Sequence, residues 1–446
     1  MIARMGRRYQ AGVSLIELMV AMVLGLVVAG GIISVFISTS SSNRVQTQLA
    51  RLQEEGRFAI TRIVQDVSLA NGQYCTNTGG TARLQANGTY LDGLRAPTVY
   101  TKNLQTALLS SDLTTRFGVG SYPAAPAASY TFPSFLSMRG YDCTVAACTP
   151  VDPNTIATTI PPMGKAIGNR VPGSAVLTLR YVDSSSGWAI GNNSTISSTS
   201  GATGSTINSI SLVPGPNEPA ASTFKGGDLA MLADCSGAQI FSVNVSGGVL
   251  TPDAANNFTA PTAQQPQSAP KVFDFNHDYL TVTYYLQVVD NGNGQTTGAL
   301  VRQVNGNDAN KNGSQDQLVR GIERLDFRYG VEDSNGNTSY LTANQVDTGT
   351  NCPPSAPNPL LKGGVEPGCM WRAIKSIQVS ILMNGQVPLY TLGPTEMQYS
   401  YSPEAPAVTG PQAPSAHTIK PSDQGFVDQL VRREFNTVVS VRNFNP

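Results

Sequence analysis

The sequence has little charge and few of the side chains that most enzyme chemistry uses. Of its 446 residues 13% are charged, with 29 Lys and Arg against 29 Asp and Glu, and there are only two histidines. His277 and His417 lie far apart, and the G-x-S-x-G, P-loop and H-E-x-x-H motifs are absent. The balanced charge gives no basic surface for nucleic acid. These absences predict a protein without enzyme activity, without a cofactor and without a nucleic-acid partner.

The most informative feature that is present is an apolar run at 12–37 with one carboxylate, Glu17, near its start. The run exceeds the roughly 20 residues that cross a bilayer. A charged side chain at bilayer depth costs at least about 2.5–3.5 kcal/mol, so an acid retained there usually has a partner or a function. Three arginines precede the run, and the next basic residue is Arg44. This asymmetry predicts a cytoplasmic leader and an exported body.

The order of residues at the start of this run resembles the leader signal of type IV prepilins and pseudopilins. A short basic leader is followed by a glycine, then by one hydrophobic residue, and then by S-L-I-E-L, which opens a long apolar helix. In that family a membrane peptidase cuts after the glycine and methylates the new amine. The resemblance implies cleavage between Gly12 and Val13, with N-methyl-Val13 as the new N-terminus. It also implies that Glu17 pairs with the terminal amine of a neighbouring subunit, since two buried opposite charges can offset each other.

Two other interpretations of the apolar run are an ordinary secretory signal peptide and an uncleaved membrane anchor. Val27-Val28-Ala29 has the small residues of a secretory cleavage site. However, the apolar run continues beyond it to Ile37, which is too long for the core of a signal peptide and typical of a membrane span. The prepilin interpretation is therefore favoured.

Beyond the run, apolar residues recur three or four apart as far as Val67, which predicts an amphipathic helix that continues the membrane segment. Asn71-Gly72 supplies a stop for this helix. The predicted organisation is a leader at 1–12, a membrane and assembly helix at 13–38, its amphipathic continuation at 39–71, and a β-rich globular domain at 72–446.

Strand-like runs separated by turn residues fill the globular part. The apolar Ile377, Val379 and Ile381 alternate with polar residues, which predicts a sheet with one wet face that can cover the helix. The strands follow one another without helical patterns between them, which favours antiparallel pairing. The expected fold is α+β and type IV pilin-like, a long N-terminal helix packed on a mainly antiparallel sheet. The predicted strands are 175–182, 229–233, 240–245, 279–289, 322–331, 374–383, 396–401 and 431–441, and the predicted polar loops are 184–223, 251–270 and 402–421.

Several segments of the body resemble PilW-type minor pilins of type IV pili. They are AVLTLRYVD at 175–183, GGDLAMLADCSGAQIFSV at 226–243, the stretch 318–346, WRAIKSIQVSILM at 371–383 and the ending RREFNTVVSVRNF. The resemblance implies a structural subunit that helps prime pilus assembly in a tip complex and supports twitching motility and adhesion. A minor pseudopilin of type II secretion, of the J group, is the alternative.

The resemblance also implies partners and a location. The implied partners are other minor pilins, the major pilin, an adhesin-like tip protein, the prepilin peptidase and the inner-membrane assembly platform. The implied location is the inner membrane, crossed once, with the C-terminal domain in the periplasm until the processed subunit enters the pilus at the cell surface.

All six cysteines follow the membrane segment, and an even number outside the cytoplasm predicts disulfides, with fifteen possible pairings. The close pairs Cys143–Cys148 and Cys352–Cys369 are favoured, which leaves Cys75–Cys235. A metal site is the other interpretation of these cysteines. It has less support because there is no C-x-x-C spacing and no histidine near them.

One acidic stretch, D-x-N-x-N-G-x-x-D, begins like a calcium loop. Its oxygen ligands would be Asp308, Asn310, Asn312 and Asp316, but the twelfth position, where a calcium loop has a bidentate Glu, is Val319. Asn, Asp and Gly are also the residues that a hairpin turn needs, because they tolerate positive φ. A turn is favoured, and calcium is the alternative.

A third possible function is that of a stand-alone adhesin or DNA receptor. Such a protein needs an aromatic platform or a basic stripe. The arginines near the C-terminus, Arg432, Arg433 and Arg442, are too few, and strand alternation would place the first two on opposite faces.

Overall fold

A single long helix at the start of the chain dominates the fold. The protein was analysed as a computed structural model that describes residues 12–75, 80–85, 88–94, 96–104, 117, 124–155, 159–191, 193–202, 204–234, 237–264, 269–292, 294–332, 337–350, 368–389, 399, 401–403 and 418–442. Helix α1 (Leu15–Leu69) is continuous over 55 residues, about 82 Å at 1.5 Å per residue. It begins after the N-cap Ser14, and Asn71 beyond its end takes a left-handed φ of 62°.

The remaining described chain is mainly β-structure. The strands of the first half are β1 (Gly80–Gln85), β2 (Gly88–Leu94), β3 (Thr98–Val99), β4 (Tyr130–Thr131), β5 (Met138–Cys143), β6 (Cys148–Thr149), β7 (Val176–Val182), β8 (Trp188–Ala189), β9 (Thr195–Gly201) and β10 (Gly204–Ser211). Those of the second half are β11 (Leu229–Ala233), β12 (Ala238–Ser246), β13 (Val249–Pro252), β14 (Lys271–Asp274), β15 (Tyr279–Asp290), β16 (Thr296–Val304), β17 (Ser314–Arg320), β18 (Ile322–Glu332), β19 (Thr338–Leu341), β20 (Ile374–Asn384) and β21 (Arg432–Ser440). Short α-helices lie at Phe275–Asp278, Ala343–Thr348 and Pro421–Gln424, and 3-10 helices at Ser134–Leu136, Pro153–Thr155, Ala221–Thr223, Asn305–Asn307, Ala309–Lys311 and Cys369–Ala373.

The described strands form three sheets and one separate hairpin, β1–β2. The docking sheet has the order β19-β18-β20-β21, and the central sheet has the order β17-β16-β15-β7-β5-β6. The outer sheet has the order β8-β14-β11-β12-β13-β10-β9, with β3 beside β12 and β4 beside β3. Pairing is antiparallel except between β3 and β12. The C-terminal part of α1 packs on the docking and central sheets.

Two apolar regions hold the body together. In the first, the buried stripe of α1 joins apolar side chains of the central and docking sheets. In the second, the outer sheet is covered on both faces: Met231 of β11 contributes to one cluster and Leu232 to the cluster on the other side. A strand buried on both faces reads as an unbroken apolar run, which explains the sequence LAMLA of β11.

The structure confirms the predicted α+β, pilin-like fold, a long helix on antiparallel sheets. Most predicted strands are present to within a few residues, as at Leu229–Ala233 and Ile322–Glu332. The predicted strand 396–401 lies mostly outside the described residues, and so does most of the predicted loop 402–421. The first two residues of the predicted loop 251–270 belong to β13. Within the rest of its described part, Asn257 and Thr262 each form an isolated bridge.

The prediction that residues 184–223 form a loop is wrong, because β8, β9 and β10 lie within them. β9 and β10 pair as a hairpin at the edge of the outer sheet, and β9 is almost entirely exposed. An exposed edge strand of Ser and Thr carries no apolar alternation, although Thr itself favours strands. The pattern used to find strands therefore fails there.

Candidate assembly surface along helix α1

The predicted cleavage site lies in extended chain just before the helix. Gly12, Val13 and Ser14 are exposed and precede the first helical residue, and Ser14 has φ −66° and ψ 149°. Open space surrounds Gly12, with no heavy atom within 4 Å of an added Cβ. Exposed extended segments are where proteases cut. The bond between Gly12 and Val13 is therefore open to a peptidase.

Glu17 forms a capping box with Ser14 at the first turn of α1. The Ser14 N–H donates to Glu17 Oε2 at 3.0 Å, and the Glu17 N–H donates to Ser14 Oγ at 3.2 Å. A capping box satisfies two backbone donors that a helix start leaves unpaired. The carboxylate is thus held over the residue that follows Val13. Its Oε1 atom has no partner among the described residues, so it can accept a further hydrogen bond.

The first part of α1 has an apolar surface that nothing in the described chain covers. The exposure of its large apolar side chains runs from 52% at Leu18 to 76% at Leu15. The helix is long and apolar enough to span a membrane. The apolar surface and the prepilin-like signal at its start fit a membrane-anchored protein, because such a surface needs hydrocarbon or other helices around it.

The second part of α1 is joined to the body through a buried carboxylate, Asp66. Its side chain is 4% exposed and that of Arg302, on β16, is 9% exposed. Arg302 donates from Nε to Asp66 Oδ2 at 2.6 Å and from Nη2 to Oδ1 at 3.2 Å. Two tyrosine hydroxyls also donate to the carboxylate, Tyr181 at 2.8 Å and Tyr284 at 2.5 Å. We call these four residues the Asp66 cluster; it ties the helix to β7, β15 and β16.

The Asp66 cluster holds the acid ionised despite its burial. Burial alone would raise the pKa of Asp66, but the hydrogen bonds and charge of Arg302, with the two tyrosine hydroxyls, lower this pKa below its ordinary value. Burial and the adjacent carboxylate raise the pKa of Tyr181 and Tyr284. Both tyrosines are therefore neutral donors at physiological pH.

Asp66 is a residue that the sequence analysis missed. It falls on the buried stripe of α1, three residues after Ile63, where every other member is apolar or glycine. An acid on an apolar face is the one signal that could have pointed to it. Its partners could not have been named, because they lie 115 to 236 residues away along the chain.

The helix also lies very close to the last strand. Gly56 is buried against Phe435 of β21, and a Cβ on Gly56 would come within 2.7 Å of the ring.

β21 is itself fixed by a buried ion pair: Arg432 donates from Nε to Glu323 Oε2 at 2.8 Å, and both side chains are 1% exposed. Arg432, which was weighed as part of a basic patch, is thus structural.

The predicted disulfide Cys143–Cys148 is present and confirmed. Cys75 and Cys369 are each disulfide-bonded as well. Their predicted partners, Cys235 and Cys352, lie outside the described residues. The pairs Cys75–Cys235 and Cys352–Cys369 stay predictions.

The four candidate calcium residues lie at the connection of β16 to β17. Asp308 accepts the N–H of Asn310 at 3.0 Å, and Asn312 takes a φ of 55°. Asp316 lies on β17, where its Oδ2 is 3.5 Å from Ser314 Oγ. Asp308, Asn310 and Asn312 thus belong to the turn that was favoured, and Asp316 belongs to the strand after it. Within the described ranges no three His, Cys, Asp or Glu side chains could together hold a metal, and calcium binding stays the untested alternative.

Comparison with known proteins finds family matches at both ends of the chain. The family of type IV pilus-assembly protein W matches residues 283–443, which run from β15 through the docking sheet. The prokaryotic N-terminal methylation motif matches residues 7–33. No curated protein and no solved structure matches the chain. The matched parts contain Glu17 and two members of the Asp66 cluster, Tyr284 and Arg302, and over these regions the chain is similar to PilW-type pilins, in agreement with the resemblance seen in the sequence.

Proposed function

We propose that this protein is a minor pilin of the type IV pilus, a non-catalytic structural subunit that helps prime pilus assembly. The observation that carries the proposal is the division of α1 into two parts. The first part is uncovered and apolar, and the second is fixed to the body by the Asp66 cluster. A subunit of this form can insert its helix among other helices while presenting its body in one orientation.

In the proposed processing step the inner-membrane prepilin peptidase cuts between Gly12 and Val13 and methylates the amine of Val13. This creates a positive charge four residues before Glu17. Glu17 already accepts the Ser14 N–H with Oε2. Its Oε1 atom is then available to the amine of a neighbouring subunit, and this pairing offsets the cost of burying either charge alone.

The orientation in the membrane follows from the three arginines that precede the apolar run. The protein crosses the inner membrane once through α1, and its body lies in the periplasm until incorporation into the pilus. The disulfide Cys143–Cys148 agrees with a body outside the reducing cytoplasm. The inner-membrane assembly platform would then move the helix from the bilayer into the fibre.

The size of the body supports a minor role. The outer sheet is built from residues before 283, outside the family match, and it has its own covered core. A body enlarged by such a lobe hinders the repeated close packing of a fibre-forming subunit. We therefore place the protein at the tip, in a complex with other minor pilins and an adhesin-like protein above the major pilin. Twitching motility and adhesion would be its contribution to the cell.

The second candidate function, which the same helix would serve, is that of a minor pseudopilin at the tip of the type II secretion system. The match of the docking sheet to type IV pilus-assembly protein W favours the pilus. Co-purification of the detergent-solubilised full chain separates the two. Recovery of type IV minor pilins supports the proposal, and recovery of secretion pseudopilins instead overturns it in favour of the second candidate.

The decisive experiment replaces Glu17 in the full chain. We expect Glu17→Ala to insert into the membrane normally and to reduce both surface pili and the amount of the protein in sheared fibres, because the neighbouring amine loses its counter-charge. Glu54→Ala is the matched control, since Glu54 is an exposed acid farther along the same helix. Normal piliation by Glu17→Ala would overturn the assembly role.

A second variant tests processing alone. Gly12→Val is expected to block cleavage, because a side chain enters the position after which the peptidase cuts. The product would keep its leader, which electrophoresis and N-terminal sequencing of the membrane fraction detect. Mature protein that starts at Val13 in this variant would contradict the proposed cleavage site.

A further inference from the structure

A groove lies beside α1 immediately beyond its apolar segment. It is formed between the helix, from Phe36 to Gln48, and the loop Val387–Leu389 that follows β20, and it encloses about 560 Å³. The helix side presents hydroxyl and amide groups and one cation, Arg44. The loop side is apolar, and so is Phe36 at the membrane end. The groove therefore has one polar wall and one apolar wall.

The two walls of the groove are held at a fixed separation. Gln48 packs against Gly385, where an added Cβ would come within 2.9 Å of Gln48 Oε1. Gln386 donates from Nε2 to Glu55 Oε2 at 3.4 Å, which ties the loop to the helix. The groove is thus largely formed before any ligand arrives, as binding sites usually are.

Arg44 is an unpaired cation at the height of the membrane surface. It has no hydrogen bond or ion pair among the described residues, and it lies seven residues beyond Ile37, about 10 Å along the helix. The headgroup region of a bilayer extends about 5–8 Å beyond the hydrocarbon on each side. Side chains of a helix lean toward its N-terminus, so the guanidinium of Arg44 reaches back into the headgroup region.

We propose that this groove binds the headgroup of one anionic glycerophospholipid. The phosphate pairs with Arg44 and with the hydroxyl and amide groups of the helix wall. The start of an acyl chain lies against Phe36 and the apolar loop. The assignment uses the proposed membrane anchoring of α1 and does not depend on a role in the pilus. A lipid held there steadies the body above the bilayer.

The proposal is tested with the full chain purified in detergent. Phosphatidylglycerol, phosphatidylcholine or inorganic phosphate is added, and bound lipid is counted by native mass spectrometry. The wild type is expected to retain one phosphatidylglycerol in preference to phosphatidylcholine. Arg44→Gln is expected to weaken this binding about fivefold, the value of one basic residue at an anionic membrane surface. Val387→Asp, which places a negative charge on the apolar wall, is expected to weaken it as well.

Arg57→Gln is the matched control, since Arg57 is exposed on the same helix outside the groove. Three results would overturn the proposal: equal retention by wild type and Arg44→Gln, equal loss in Arg57→Gln, or displacement of the lipid by inorganic phosphate alone. A dimer that forms through the groove and excludes lipid would also overturn it, by assigning the groove to a second copy. Failure of these tests leaves the effect of Glu17→Ala on piliation unchanged, so the two proposals can be separated.

Discussion

Removing one partner of the Asp66 cluster is expected to weaken the attachment of helix α1 to the body strongly, because it leaves a buried charge unpaired. Asp66 and Arg302 are both nearly buried and form two hydrogen bonds with each other. Removing one partner of a buried ion pair leaves an uncompensated charge and costs about 3–5 kcal/mol. We therefore expect Arg302→Met and Asp66→Leu each to lower the free energy of unfolding by about that amount.

The double variant Asp66→Leu/Arg302→Met separates this explanation from simple loss of packing. It removes both charges, so no buried charge is left unpaired. The Tyr181 hydroxyl still loses its acceptor, at a cost of about 1–3 kcal/mol, while the Tyr284 hydroxyl can donate its proton instead to the carbonyl oxygen of Arg62, which lies 3.2 Å away. The double variant should therefore lose much less stability than the sum of the two single variants.

Urea denaturation of the full chain in detergent micelles, followed by tryptophan fluorescence, measures these differences. Trp188 and Trp371 are both buried in the body, and Trp371 belongs to the core that contains the buried stripe of α1. Arg57→Gln, an exposed change on the same helix, should shift stability by less than about 0.5 kcal/mol. Additive single and double losses, or losses below about 1 kcal/mol for each single variant, would refute the reasoning.

The pH dependence of the stability is an independent check on the charge of Asp66. Because the folded-state pKa of Asp66 lies below its unfolded value, the cluster contributes fully above about pH 4 and loses its contribution as the pH falls through the lowered pKa. In Arg302→Met, burial raises the pKa of Asp66 instead, so protonation relieves the unpaired charge. The destabilisation by Arg302→Met should therefore shrink between pH 7 and pH 4. An unchanged loss over this range would contradict the assigned charge of Asp66.

Two further variants test other contacts, one at the docked helix and one between β5 and the short helix Ala343–Thr348. Gly56→Leu should lower the free energy of unfolding by about 1–3 kcal/mol or more, because the new side chain meets the Phe435 ring; the same denaturation assay measures it, and an unchanged stability would contradict the close approach. Burial raises the pKa of Asp142 to about 6, although the hydrogen bond that the Ala343 N–H donates to Asp142 Oδ2 at 2.7 Å lowers this pKa. Since this pKa is raised, its contribution to stability is present at acid pH and lost as the pH rises through about 6. Asp142→Asn should remove a pH dependence of up to about 3 kcal/mol, at 1.36 kcal/mol per unit of pKa shift, so the wild type should gain stability relative to the variant below pH 6; a parallel dependence in both proteins would contradict the assignment.

Much of the architecture could be predicted because its signals are local. Helix α1 follows from an apolar run and then a period of three to four residues, and its end follows from Asn71, which adopts the left-handed conformation. The apolar run at Leu229–Ala233 and the apolar–polar alternation within Ile374–Asn384 identified their strands for the same reason. Each of these signals is contained within about ten residues of sequence and needs no knowledge of the partner element.

The contacts that attach the helix to the body could not be predicted, because they join distant parts of the chain. Tyr181 and Arg302 meet Asp66 only after β7 and β16 have paired with β15 between them. The β9–β10 hairpin was missed for a different reason. Its edge strand β9 is polar and almost entirely exposed, so pairing of its backbone with β10, rather than burial of its side chains, defines it.

Glu17 and Asp66, two of the acids of α1, differ in how many of their carboxylate oxygens already have partners. The carboxylate of Asp66 accepts hydrogen bonds at both oxygens and faces a cation, so it has no capacity for a partner from another subunit. Glu17 uses one oxygen for its own Ser14 N–H, and no residue of the described chain covers it. An unsatisfied carboxylate on an apolar helix is stable only where another chain or the membrane surface completes it. Contacts between subunits are therefore expected to act on the first part of the helix, and the orientation of the body to be set within each subunit by the second.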